Sequence, residues 1–473
     1  MLRNLVLTLL AAAALSLPAA GRATAAPRPN VVLIMVDDLG WPDVSSYGLD
    51  RVPTPNLDRI AGRGAAFSNA YVPAPVCAVS RAGLLTGRSP QRYGFEYNLD
   101  DQNNLDDGLP LSERTLADRL LAAGYRTAAV GKWHLGYAPN FYPTRRGFQE
   151  FYGFLSGETP YVDPATFGIV TTRTKADRPI GPRKPHQQVV EGPDARVVDN
   201  FDRYLTDELT ARAVSYVERQ AGGPDPFFLY LAYSAPHWPL QVPQAWYDRF
   251  AHIEDPVRRT YVAMIAAMDA GVGQVLDALE RKGAAEDTLV IFLSDNGCPI
   301  QFGFCDCAHP LASGKFTHLE GGVRVPFLMA WPRGLKPRGV VDAPVSSLDV
   351  VPTVMKAAGL RTRGEGLDGQ DLVVAANGKA PPRRQLFFRQ SPVSAMREGR
   401  WKLWRSREPR RARLFDLERD PGETMDLAAT HPARVKSLSE ALDRWESSLA
   451  PPEWPVRRVD EVRICRVTTQ RVY

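Results

Sequence analysis

Residues 30–36, Asn-Val-Val-Leu-Ile-Met-Val, form a nearly unbroken apolar run that ends at once in Asp37-Asp38-Leu39-Gly40. A short β-branched run without alternation reads as a strand covered on both faces, the habit of a parallel sheet. Parallel strands need crossover connections, so the rest of the chain must supply helices for both sides. Two carboxylates at the carboxyl end of such a strand are costly unless they meet a cation or strong donors. That end is also where open α/β sheets bind their ligands. One segment thus predicts both a fold class and the place of a functional site.

Similar runs recur at 126–130, 227–233 and 289–293. Each leads into polar residues: Gly131-Lys132-Trp133-His134, Ser234-Ala235-Pro236-His237 and Ser294-Asp295-Asn296-Gly297. Helical patterns lie between them at 111–123, 202–220 and 257–282. In the last, Tyr261, Met264, Met268, Val272, Val275 and Leu279 recur at helical spacing and read as core filling. We expect an α/β fold, a three-layer α/β/α sandwich around a large, mainly parallel but mixed sheet. A further helix is expected after Ser346, stopped by Gly359. The Gly/Pro/Arg-rich stretch 361–384 then breaks the pattern. Short runs at 385–388, 394–397, 400–404 and 413–417 predict an antiparallel sheet, with a helix over about 433–450 packed on it and an extended run at 463–467. The expected division is a leader at 1–25, a large catalytic domain at 26–375 and a small domain at 376–473.

The leader has the layout of a secretory signal: Arg3, an apolar stretch from Leu5 to Leu17, and small-x-small Ala23-Thr24-Ala25. Its apolar stretch is short for a membrane span, and no later segment offers about 18 uncharged apolar residues. An exported protein, periplasmic or secreted, without stable membrane insertion is expected. The formal charge is +5, or +3 once Arg3 and Arg22 leave with the leader. That mild excess is compatible with an anionic substrate, and no segment has the form of a nucleic-acid module. The run Arg405–Arg413 reads as a solvated loop. The 5 cysteines are Cys77, Cys298, Cys305, Cys307 and Cys465, an odd number for an exported chain. With Cys77 set aside, four remain for two disulfides. One of Cys305 and Cys307 is expected to pair with Cys298, and the other to reach Cys465. The alternative for Cys298, Cys305 and Cys307, a zinc site, is disfavoured by export and by a better oxygen-rich metal site elsewhere.

That site draws on Asp37, Asp38, Asp295 and Asn296. Carboxylates and an amide oxygen are hard ligands, suited to Ca2+ or Mg2+ rather than zinc or copper. Cys77 stands just before an expected helix at 80–85, and unpaired N–H groups at a helix start favour an anion. Arg81 follows four residues later and can return to the first turn. Lys132 and His134, two apart on an extended segment, can converge on one face.

Several runs, in this order, resemble the formylglycine-dependent sulfatases of the arylsulfatase and glycan-sulfatase type, in the alkaline-phosphatase-like superfamily. They are VDDLGWPD at 36–43, TPNLDRIAGRGAAFSNAY at 54–71, CAVSRAGLLTGR at 77–88, GKWHLG at 131–136, SAPHWP at 234–239, LSDNG at 293–297 and ASGKFTHLEGGVRVPFLMAWP at 312–332. The run LFDLERDPGETMDLA at 414–428 is similar to that family's smaller domain. The resemblance implies a sulfuric ester hydrolase in which a maturation enzyme oxidises Cys77 to formylglycine, whose hydrate attacks sulfur. It implies that Arg81 orients the hydrate and Lys132 holds hydrate or sulfate. His134 is then the base of the second step, His237 the general acid, and Lys315 a contact to the transferred group and leaving oxygen. It also implies Ca2+ ahead of Mg2+, bound by Asp37, Asp38, Asp295, Asn296 and the modified Cys77. One position departs from the family signature: Val79 stands where proline is usual. Valine also favours extended backbone, so reduced but real maturation is expected. The alternatives are a phosphonate or phosphodiester hydrolase of the same superfamily, or an unconverted protein that only binds sulfated glycans. The substrate is expected to be an aryl sulfate or a sulfated carbohydrate, chosen by loops 93–107, 158–188 and 302–309. Asp100, Asp101, His309 and His318 are candidates for sugar contacts, Trp41 and Trp238 for ring walls, and Glu320 for fixing Lys315.

Overall fold

A computed structural model describes residues 28–49, 52–174, 180–198, 203–305, 310–379, 384–464 and 467–473. The expected leader, Cys307, His309 and Cys465 lie outside the described residues.

The apolar run before Asp37 is a strand, Asn30–Val36, at the centre of a 10-stranded sheet. In spatial order the strands are Gly339–Val341, Gly64–Phe67, Phe327–Ala330, Thr288–Ser294, Asn30–Val36, Phe227–Ala232, Arg126–Lys132, Glu150–Phe154, Val190–Glu191 and Arg196–Val197. The five from Thr288–Ser294 to Glu150–Phe154 pair in parallel, while Phe327–Ala330 and Val190–Glu191 run antiparallel to their neighbours. Alternation along the central strand splits the core. Val31, Leu33 and Met35 join one apolar cluster, with helices Cys77–Thr86, Leu116–Ala122 and Val350–Ala357. Val32, Ile34 and Val36 join the other, with Pro55–Gly62, Leu205–Gln220 and Pro256–Arg281. Two apolar faces on one sheet give the three layers. Pro256–Arg281 is the one helix among the described residues long and apolar enough to cross a membrane, and it lies buried in the second cluster.

Some boundaries differ from expectation. The helix expected at 111–123 begins only at Leu116, because Thr115 and Asp118 close a reciprocal capping box there. The helix expected at 80–85 begins at Cys77, so the cysteine is its first residue and not its prelude. The segment after Ser346 is a 3-10 turn, Ser347–Asp349, leading into Val350–Ala357.

The C-terminal antiparallel sheet has four strands, Gln385–Gln390, Val393–Glu398, Trp401–Arg407 and Arg410–Asp416. One face packs Met396, Leu403 and Leu414 against Leu438, Ala441 and Leu442 of helix Pro432–Glu446. The other face sends Phe388, Ala395 and Trp404 into the first main cluster. The arginine run read as a loop is a pair of strands and their turn, with Arg405 bound to Asp443 and Glu446 of that helix. Beyond it, Val459–Ile464 and Val467–Val472 form a hairpin.

Candidate active site

Four adjacent parallel strands end side by side, and their carboxyl ends carry the polar motifs. Val36 pairs with Ser294, so Asp37-Asp38 and Asp295-Asn296 leave the sheet together. Met35 and Gly131 both pair with Ala232, so the segments bearing His237 and Lys132 leave beside them. Cys77 reaches the same place as the first residue of its helix, and Lys315 on the loop before Glu320–Val323.

Cys77 is buried, and its thiol lies 3.3 Å from Asp37 Oδ1. Burial, then Asp295 and Asp37, push the thiol far above its ordinary range. An unmodified Cys77 therefore stays protonated, donates to Asp37 and is a poor nucleophile. Asp37 also holds Lys132 Nζ at 2.5 Å and lies 3.6 Å from Arg81 Nη2. Burial opposes its charge, but Lys132, His237, Arg81 and Lys315 outweigh that and hold Asp37 well below the usual carboxylate range. Asp38 pairs with Lys315 Nζ at 2.7 Å and faces His237 Nε2 at 3.5 Å. Arg81 grips Asp295 through Nε at 3.0 Å and Nη2 at 2.8 Å, and its Nη1 donates to the Lys132 carbonyl and the Tyr230 hydroxyl. Burial and Asp37 nonetheless push Asp295 up to about 7.

The two histidines are fixed in complementary ways. His134 Nε2 donates to the Leu99 carbonyl at 3.0 Å, so its Nδ1 carries the lone pair, and that atom is buried without a partner among the described residues. Burial, with Lys132 next, holds the ring well below its ordinary value and keeps it neutral. His237 Nδ1 donates to the Trp238 carbonyl at 2.5 Å, which turns Nε2 toward Asp38. Burial lowers His237 while Asp37 and Asp38 pull it back, with a net lowering. Lys315 is the opposite case: burial works against its charge, but Asp38, Cys77, Asp37 and Asp295 hold it well above the lysine range.

Donor atoms of Asp37, Asp38, Cys77 and His237 lie within 4.8 Å of one another, a group able to hold a metal ion. Asn296 donates its amide N–H to Asp38 at 2.6 Å, while its Oδ1 is buried with no partner among the described residues. An unsatisfied buried acceptor is costly, and beside these carboxylates a divalent cation would satisfy it. The donor set therefore fits a hard cation. The metal-capable group includes His237, which the sequence assigned to the general-acid role and not to the metal, and the Asp295 carboxylate is held by Arg81.

The structure thus brings together Asp37, Asp38, Cys77, Arg81, Lys132, His237, Asp295, Asn296 and Lys315, with His134 on the same segment as Lys132. Other expectations change. Glu320 binds Lys402 Nζ at 2.9 Å and accepts from Tyr71, and so does not fix Lys315. His318 is fully buried, and Lys402 is the charge that acts on its ring. Asp100 is ion-paired with Arg457. Trp41 stacks on Tyr47 with the Arg324 guanidinium over it, a wall within the fold. Cys298 is bonded to Cys305, and Cys77 is the free cysteine among the described residues. Sequence reasoning missed Tyr230 and the buried Lys402–Glu423 contact (2.9 Å), because neither lies in a motif and each is defined only by its partner across the fold.

The comparisons agree with this geometry. Residues 29–360 match the family model described as Sulfatase, and residues 313–447 match that for the N-sulphoglucosamine sulphohydrolase C-terminal region. The chain is 34% identical over 471 residues to arylsulfatase A of Homo sapiens, covering 90% of this chain and 88% of that one. It is 32% identical over 416 residues to N-acetylgalactosamine-6-sulfatase of Mus musculus, covering 84% of this chain and 75% of that one. A solved structure of Ps i-CgsB in complex with k-i-k-neocarrahexaose superposes with a TM-score of 0.81 at 32% identity, over 90% of this chain and 95% of the other.

Proposed function

This chain belongs to the sulfatase family, and from that premise we propose that it is an exported sulfatase that cleaves sulfate monoesters of a carbohydrate, with formylglycine at position 77 and Ca2+ as its divalent cation. The observation that carries the reading is the centre itself. Cys77, Asp37, Asp38 and His237 converge within 4.8 Å, and Lys132, Arg81 and Lys315 are ion-paired to the carboxylates around them. Burial beside Asp295 and Asp37 makes an unmodified thiol a poor nucleophile there, which favours the modified residue as the reacting group. The choice of Ca2+ is supported by the hard oxygen set, with Asp37, Asp38, Asp295, Asn296 and the modified residue 77 as its ligands. Export is supported by the leader-like 1–25 and by the Cys298–Cys305 disulfide. A carbohydrate substrate is supported by the relative solved with a neocarrahexaose. Division into 26–375 and 376–473 belongs to the same proposal, supported by the separate apolar cluster on helix Pro432–Glu446.

When present, the aldehyde hydrate supplies a nucleophilic hydroxyl and a second, geminal hydroxyl for release, and the cation draws charge from the sulfuryl oxygens. The chain's own residues do the rest. Lys132 and Lys315 provide fixed positive charge for the peripheral sulfate oxygens, already oriented by Asp37 and Asp38. Lys315, held firmly protonated, acts by charge and not by proton transfer. His237 is the better acid as its imidazolium: the Nδ1–H stays committed to Trp238, and the second proton, on the Nε2 that faces Asp38, is the one given to the leaving oxygen. His134, neutral with its lone pair on Nδ1, takes a proton there in the release step. Arg81 braces Asp295 and the Lys132 segment and so fixes the frame on which these groups sit.

The test is the mass of the peptide containing Cys77, taken from protein made in its native host, together with turnover of an aryl sulfate and a sulfated oligosaccharide by the same sample. An aldehyde or its hydrate with sulfate release is expected. A uniformly unmodified thiol in a sample that still turns over would remove the formylglycine reading.

A further inference from the structure

The segment Arg457–Tyr473 lies beyond residue 447, where the match to the family's C-terminal model ends, yet it touches both sides of the active centre. On one side, the Arg457 guanidinium pairs with Asp100 and donates to Asn104 Oδ1 at 2.7 Å. Asn104 Oδ1 in turn accepts from the Asp100 backbone N–H at 3.2 Å, which closes the loop on itself. That loop supplies the Leu99 carbonyl that fixes the His134 ring. It also supplies Asn98, whose Oδ1 accepts the Ala78 N–H at 2.9 Å at the start of the Cys77 helix. On the other side, the Val472 N–H donates to the Phe316 carbonyl at 3.1 Å, and the Tyr473 ring packs on the Phe316 ring with centroids 4.7 Å apart. Phe316 follows Lys315, whose ammonium lies 5.4 Å from the same ring. Phe316 holds φ at 72° and Ser313 at 63°, a left-handed backbone that side-chain-bearing residues keep only when neighbours enforce it. The two sides are joined directly: the Arg457 N–H donates to the Tyr473 carbonyl at 3.2 Å.

We propose that residues 457–464 and 467–473 form a clasp that sets the relative positions of His134 and Lys315, with Arg457 as the positioning residue on the His134 side. The proposal rests on the sulfatase reading only for what the two groups do; the contacts stand without it. Arg457 suits the task because a forked guanidinium can hold a carboxylate and an amide oxygen at once, which a lysine ammonium does less well. Without that grip, the 98–104 loop loses its tie to the hairpin, and the Leu99 carbonyl loses its fixed place. His134 would then rotate away from the proton it must accept, at little cost to substrate binding.

The experiment compares wild type, Arg457→Ala and Arg457→Lys, each checked by mass for equal formylglycine content at position 77. Hydrogen–deuterium exchange should quicken in 97–107 in Arg457→Ala, with strands 393–416 unchanged. With a small aryl sulfate, kcat should fall at least about tenfold while KM moves less than about twofold, since misplacing a reacting group acts on the chemical step. Arg457→Lys should fall between the two. Asp100→Asn, which removes the charge that pairs with Arg457 but keeps a side-chain oxygen for the Gln102 and Asn103 N–H groups, should reproduce the pattern and stands in if Arg457→Ala fails to fold. Unchanged exchange in 97–107 overturns the clasp. Quickened exchange with unchanged kcat overturns the positioning role. A wild type that is inactive on every sulfate ester would count against the sulfatase reading, while the exchange comparison would still decide the clasp.

Discussion

Lys402→Met is the most demanding test of how the small sheet supports the centre. Lys402 is fully buried, and its ammonium lies 2.9 Å from Glu320 Oε1 and 2.9 Å from Glu423 Oε1, both in carboxylates that are buried as well. One cation therefore serves two anions. The other donors are the Tyr71 hydroxyl to Glu320 at 2.6 Å and the Glu320 backbone N–H to Glu423 at 2.5 Å. Burial raises Glu423, Lys402 pulls it back and Glu320 raises it again, so that it stands up to about 7. Glu320 is held below its ordinary value, with burial opposed by Lys402, Arg397 and Arg324. Methionine fills the lysine's volume but leaves Glu423 without its cation and Glu320 with only Arg397 and the more distant Arg324. Breaking a buried pair in this way costs about 3–5 kcal/mol. At roughly 2 °C per kcal/mol for a long chain, the thermal midpoint should fall by about 6–10 °C.

The deficit should also depend on pH in a fixed direction. Lys402 lowers both carboxylates, so its loss should raise both, Glu423 still further above the unfolded value of about 4.3. Groups raised in the folded state contribute stability that is complete below the unfolded value and is lost as pH rises through the folded one. Thermal melts at pH 5 and pH 8 should therefore show the smaller deficit at pH 5. Adding Glu423→Gln to Lys402→Met removes one of the two stranded charges and should recover part of the loss at pH 8. A deficit below about 1 kcal/mol, or one equal at both pH values, would refute the claim that this ammonium keeps the two acids buried.

Gly157→Ala should lower kcat by about 10- to 100-fold with little change in KM, because an added Cβ would lie 2.7 Å from His134 Cε1 and must turn the ring; steady-state kinetics on an aryl sulfate would check it. Val79→Pro should fold with a loss under about 1.5 kcal/mol, since position 79 is in the first helical turn where no intrahelical acceptor is needed. The same variant should raise the formylglycine fraction, measured by peptide mass, if valine slows maturation. Chelation should lower both activity and thermal midpoint, and Ca2+ should restore them better than Mg2+; a melt indifferent to chelator would remove the metal site. His318→Phe should move acid unfolding to lower pH. Burial and Lys402 hold this ring down to about 3, so the wild type loses stability as pH falls from the ordinary histidine value toward it.

Much of the fold was legible because its core strands are uniform. A segment like Asn30–Val36, apolar at every position and bounded by acids, has few other stable settings, and the order of strand-end motifs followed from the same pattern. Helix ends were less legible. The start at Leu116 depends on the Thr115–Asp118 box, which is weak in sequence beside the apolar Leu109 and Leu111. The site's residue types were legible as motifs, but their partners were not. Glu320 looked like a brace for Lys315 because it is five residues away; in three dimensions a lysine 82 residues away takes it. Ion-pair choice inside a protein is decided by which charge is brought close and dry, and sequence distance says little about that.

The backbone shows where the centre is constrained in a way no side-chain pattern encodes. Of the non-glycine residues with positive φ, Asp38 and His134 belong to the centre itself, and Ser313 and Phe316 flank Lys315. Each such residue costs on the order of 1 kcal/mol or more. At Asp38 the turn lets two successive acids serve different partners: Asp37 faces Lys132 and Cys77, while Asp38 faces Lys315 and His237. A strand continued past Val36 would point them to opposite faces of the sheet. Bending the chain at the strand's end is what allows both carboxylates to join one group able to hold a cation, and the buried ion pairs around them are what hold that bend.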